Sequence, residues 1–82
     1  INLLIKTLYY MNKKNKIKIK LNGKTVLIPK NSSLKNLANK FKIPLNKVAI
    51  EINMEIIDKR KLNKIIIKSS DKIEIVQFIG GG

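Results

Sequence analysis

The sequence contains no cysteine and no histidine. Disulfides, thiol nucleophiles, Cys/His zinc sites and imidazole acid–base chemistry are excluded together, while a reduced cytosol or an organelle interior is permitted. Aromatic residues are limited to Tyr9, Tyr10, Phe41 and Phe78, so the core has to be aliphatic. Long apolar runs are also missing. The stretch within residues 1–11 is broken by Lys6 and falls well short of the ~20 residues a membrane span needs. No positively charged start followed by a small-residue cleavage site marks a secretory signal. Acids number only five against 18 Lys and Arg, giving a net charge of +13.

What is present suffices for one small domain. The 82 residues are 44% hydrophobic and include 16 isoleucines, near the lower size at which a single core holds a fold without staples. The charge raises nucleic acid or an anionic membrane as partners. Lys, Asn and Ile, however, fill 43 of the 82 positions. Those are the residues of A- and T-rich codons, and base composition accounts for their excess. Lys outnumbers Arg 17 to 1 and the lysines spread over the polar sides of strands and turns, whereas nucleic-acid readers favour Arg forks and stacking aromatics beside the charge. No nucleic acid and no membrane is expected as partner. Paired carboxylates, Glu51 with Glu55 or Asp71 with Glu74, read as solvated surface among lysines rather than as acid–base machinery.

Residues 1–14 stand as an N-terminal extension whose order the pattern leaves open, with Met11 as an alternative start. From there Ile17, Ile19 and Leu21 alternate with lysines, as a half-buried strand requires. Asn22-Gly23 supplies the turn of a hairpin over residues 16–29. Asn31-Ser32-Ser33 offers capping oxygens to a helix of about nine residues whose core stripe is Leu34, Leu37, Ala38 and Phe41, stopped before Pro44. Residues 48–53 read as a third strand with Glu51 outward, and residues 54–57 as its return after a turn at Asn53-Met54. A polar loop is expected at 58–61. Residues 62–67 fit either a buried strand or a turn of helix. After a turn at 69–72 comes a last strand with apolar residues at both parities, which implies a central strand covered on both faces or nearly so. The expected architecture is α+β: a four- to five-stranded mixed sheet packed on one main helix, the β-grasp or ubiquitin-like layout. It spans residues 15–78 and is followed by a flexible tail, 79–82.

Together these segments resemble a family. Asn22-Gly23-Lys24, Val48-Ala49-Ile50-Glu51-Ile52-Asn53, Glu55-Ile56-Ile57-Asp58-Lys59-Arg60 and Ser70-Asp71-Lys72-Ile73-Glu74-Ile75-Val76, followed by Phe78-Ile79-Gly80-Gly81-Gly82, are similar to the ThiS-type sulfur carriers of thiamine biosynthesis. Met54 departs from the glycine usual there, and the strongly basic surface is unusual for the family. The order and spacing of the segments favour this family over the small subunit of molybdopterin synthase and over ubiquitin-like modifiers, which share the Gly-Gly end. A basic nucleic-acid-binding module is the distant alternative.

The tail carries the expected chemistry. Three glycines make a thread without side chains, slim enough for a narrow pocket. Residues 79–82 extend about 13 Å at full reach. The resemblance implies that the Gly82 carboxylate is adenylated by a ThiF-type enzyme using Mg-ATP. A cysteine desulfurase or sulfur relay then supplies the sulfur of a thiocarboxylate, which passes to a ThiG-type thiazole synthase. Gly80 and Gly81 provide thinness, while Phe78 and Ile79 anchor the tail base against partners. For Phe78 a core-capping role is equally open. The chain is expected to be a co-substrate rather than an enzyme, monomeric when free. It should hold no metal or cofactor of its own and work in a bacterial cytoplasm or a plastid stroma.

Overall fold

The computed structural model describes residues 2–78. An α-helix, α1 (Leu3–Lys14), precedes strands β1 (Lys16–Leu21) and β2 (Lys24–Pro29), helix α2 (Leu34–Lys40), strands β3 (Val48–Ile52) and β4 (Glu55–Ile56), and strand β5 (Lys72–Gln77). Two 3-10 segments, Leu45–Lys47 and Lys59–Lys64, flank the β3–β4 pair. The strands form one mixed sheet in the order β2-β1-β5-β3-β4, with β1 and β5 parallel and the other pairs antiparallel. With α2 across one face, this is the β-grasp arrangement that the pattern predicts.

The hairpin follows from its residues. Leu21 pairs with Lys24 around Asn22 and Gly23, whose φ angles of 48° and 82° are those of a two-residue turn matching strand twist. Helix α2 begins at a reciprocal cap. Ser33 Oγ accepts from the Asn36 amide at 3.0 Å, and the Ser33 amide donates to Asn36 Oδ1 at 2.9 Å. Leu34 and Leu37 are buried in one cluster with Ile19, Ile28, Ile50 and Ile73 of the sheet and Leu62 and Ile67 beyond it, and Ala38 is buried as well. Every buried core side chain is aliphatic.

Several expectations need correcting. Helix α2 has seven residues, and Phe41 is its C-cap, past the last helical turn, and is 40% exposed rather than buried with the stripe. Half-buried Ile43 and Leu45 pack against the core instead. Residues 58–61 are not a plain loop. Asp58 caps the 3-10 helix Lys59–Lys64 by accepting from the Arg60 amide. Residues 65–67 are neither strand nor helix, making a single bridge between Ser33 and Ile66. Strand β5 is central as inferred, but only one of its faces is covered. Ile73 is fully buried on the side of the core cluster that includes Leu34 and Leu37 of α2, while Lys72, Glu74 and Val76 on the other face are exposed. Where the pattern leaves order open, Leu3–Lys14 forms α1, with Asn2 Oδ1 accepting from the Leu4 amide. Its Leu3, Leu4, Ile5 and Leu8 remain more than half exposed. Among the described residues no helix is long and apolar enough to cross a membrane.

Candidate functional site

Strand β5 delivers the chain to the tail, and the molecule grips it along its whole length. On one side it pairs with β3 from Ile52↔Ile73 to Val48↔Gln77. On the other it pairs with β1 only at Lys20↔Lys72 and Leu21↔Ile73, because β1 turns away at Asn22. The Asn22 side chain then continues the ladder. Its Oδ1 accepts from the Ile75 amide at 2.7 Å, and its Nδ2 donates to the Ile75 carbonyl at 3.2 Å. A carboxamide thus stands in for the missing peptide group of a strand.

The start of β5 is held by a second carboxamide. Asn53 Oδ1 accepts from the Lys72 amide at 2.9 Å, while Asn53 Nδ2 donates to Asp71 Oδ1 at 3.1 Å. The other Asp71 oxygen accepts from the Lys68 amide at 2.8 Å. Asp71 is therefore occupied as a turn brace and does not pair with Glu74. Glu74 lies instead directly across from Glu51 on the open sheet face, and Glu55 belongs to the opposite parity of the β3–β4 ladder. Neither carboxylate pair considered from the sequence is assembled.

At its far end β5 hands over to Phe78. The Phe78 amide donates to the Lys47 carbonyl at 3.0 Å, and its side chain is 57% exposed, so it does not cap the core. Beside it stands Lys59, whose Nζ lies 5.0 Å from the ring centroid and donates to the Leu45 and Val48 carbonyls, both at 2.7 Å. The neighbouring Arg60 and Asp58 satisfy each other outside, at 2.8 Å between Nη2 and Oδ2. Hydrogen bonds from the Arg60 side chain and amide hold the Asp58 carboxyl at about 2, below its usual 3.8, and Asp58 in turn raises Arg60.

Of the residues singled out by sequence, Phe78 is placed at the mouth of the sheet. Ile79, Gly80, Gly81 and Gly82 lie outside the described residues. Sequence reasoning missed Lys59, one of 17 lysines with nothing local to distinguish it, and read Asn22 as turn chemistry alone. No group of three or more Asp or Glu among the described residues is arranged to hold a metal ion.

The geometry agrees with the comparisons. Residues 15–82 match the ThiS family. The sulfur carrier protein ThiS of Bacillus subtilis is 35% identical over 65 residues, 78% of this chain and 98% of that protein. The uncharacterized protein ycf40 of Porphyra purpurea is 35% identical over 66 residues, covering 80% and 93%. A thiazole synthase of Paramagnetospirillum magneticum is 33% identical over 66 residues, and the chain spans only 20% of that protein's length. The crystal structure of the thiamine biosynthesis protein ThiS from Geobacter metallireducens superposes with a TM-score of 0.73 at 23% identity, over 80% of this chain and 100% of that one, which shows a shared fold.

Proposed function

The chain belongs to the ThiS family of small sulfur carriers, and from that premise we propose that its Gly82 carboxylate is charged with sulfur for thiazole formation in thiamine biosynthesis. One observation carries this reading: the family match runs through residue 82 and so takes in all three tail glycines.

A carboxylate is a poor electrophile because oxide is a poor leaving group. Attack of a Gly82 oxygen on the α-phosphorus of ATP expels pyrophosphate and makes an acyl-adenylate, whose AMP leaves readily. A persulfide displaces that AMP, and cleavage of the resulting acyl disulfide by a thiol leaves a thiocarboxylate. This chain has no cysteine, so both the persulfide and the thiol come from partners. Those partners are a ThiF-type adenylating enzyme acting with Mg-ATP, then a cysteine desulfurase or relay, and finally a ThiG-type thiazole synthase as acceptor. The chain is a co-substrate throughout, monomeric between encounters. Gly80 and Gly81 keep the thread thin enough to enter the adenylating pocket, and Phe78 and Ile79 steady its base. Similarity to part of a protein named thiazole synthase supports that acceptor over a molybdopterin-synthase large subunit or a lysine conjugate. A bacterial cytoplasm or a plastid stroma suits the AT-rich residue usage.

The adenylation step is read directly by pyrophosphate release. With Mg-ATP and the adenylating enzyme, the intact chain drives release, and a chain lacking Gly82 or extended by one residue does not. Undiminished release by the shortened chain overturns the assignment.

A further inference from the structure

Lysine carries three donors, and in a half-buried setting each needs a partner. For Lys59 two are the Leu45 and Val48 carbonyls at 2.7 Å, and the face of Phe78 lies 5.0 Å from its nitrogen. A carbonyl between those two acceptors, that of Lys47, takes the Phe78 amide at 3.0 Å. Residues 45–48 thus form a bracket whose carbonyls at 45, 47 and 48 hold the Lys59 ammonium and the Phe78 amide side by side. Two further ammonium–ring contacts, Lys14 over Tyr10 and Lys40 over Phe41, join residues close in sequence. The Lys59 contact, by contrast, ties a distant segment to the exit of β5. The local sequence supports the inward reach: Arg60 takes up Asp58 outside, so Asp58 does not draw the Lys59 ammonium away.

We infer that Lys59 is a positioning residue for the tail base: its ammonium, locked on two carbonyls, fixes Phe78, the residue a partner meets first on the way to the tail. This rests on the sulfur-carrier reading. An ordered tail base lowers the entropy lost when a thread enters a partner's pocket, so the effect falls on recognition rather than on the chemical step. Charge-assisted bonds to carbonyls and the ring quadrupole act on the same nitrogen, so removing it releases both.

The experiment is hydrogen exchange by NMR on the full chain and its Lys59→Met and Lys59→Arg variants, with adenylation kinetics alongside. In Lys59→Met the Phe78 amide exchanges about tenfold faster while those of Ile50 and Ile75 keep their protection, since a local opening is released without unfolding the sheet. The KM for the carrier rises several-fold with kcat little changed, and Lys59→Arg restores both in part. Unchanged Phe78 exchange, or equal loss of protection at Ile50 and Ile75, overturns the inference. Should Lys59→Met fail to fold, the wild-type chain still decides. A ring-current shift on the Lys59 ε-methylene protons is expected, and its absence refutes the contact. If the adenylating enzyme does not charge even the wild type, the carrier reading falls, while the exchange data alone still decide whether Lys59 holds Phe78.

Discussion

Asn53 and Met54 turn the chain between β3 and β4 with φ angles of 50° and 74°. Asn tolerates that region, and its side chain is used there to seat Asp71 and Lys72. Met54 has no such reason to be present: its side chain is 90% exposed, so it contributes strain and little packing. A left-handed non-glycine residue costs on the order of 1 kcal/mol. Met54→Gly is therefore expected to stabilise the fold by about 1 kcal/mol, read from the midpoint of a urea titration. Asp58 gives a second prediction at this scale. Folded, it stays charged down to about 2; unfolded, it takes its proton near 3.8. Between those values the unfolded chain binds more protons, so the stabilisation from Asp58 is full above about 3.8 and fades as the pH falls toward 2. Asp58→Asn should flatten the acid limb of a stability-versus-pH curve in that window. An unchanged limb would show that the Arg60 contact is not maintained in solution.

Elements built from local alternation were legible in the sequence; those fixed by tertiary contacts were not. The hairpin is legible because lysine and isoleucine alternate up to Asn22-Gly23 and a short β-prone run ends at Pro29 after it, and α2 because Leu34, Leu37 and Ala38 share a face. Phe41 also fits that face by spacing, yet the helix ends at Lys40, and spacing says nothing of where a short helix stops. The 3-10 helix Lys59–Lys64 has no period long enough to read. At the candidate site, the three glycines were evident, whereas the grip of Asn22 on Ile75 and of Lys59 on Leu45 and Val48 joins residues that only the fold brings together. Helix α1 lies outside the family match, its apolar residues largely exposed. The stabilising burial resides in the sheet and α2. Deleting residues 1–14 should accordingly shift the thermal midpoint by no more than a few degrees, the equivalent of under about 1 kcal/mol for a domain of this size. A collapse of the transition on deletion would make α1 part of the cooperative unit.

The whole molecule is a grip on one strand. One face of the sheet is sealed by α2, the other is open, and β5 runs through the middle, braced by β1, β3 and two carboxamides, to present Phe78 at its rim. With no cysteine or histidine the chain offers no thiol or imidazole chemistry, and the proposed function assigns the sulfur to Gly82. Intact-mass spectrometry tests this most directly. The full chain is incubated with Mg-ATP, an active ThiF-type enzyme and a persulfide source, and weighed before and after. A sulfur carrier gains the difference between one sulfur and one oxygen atom, and fragmentation locates it on Gly82. A chain that keeps its original mass beside a control carrier that gains sulfur, or one whose added sulfur lies elsewhere, contradicts the assignment.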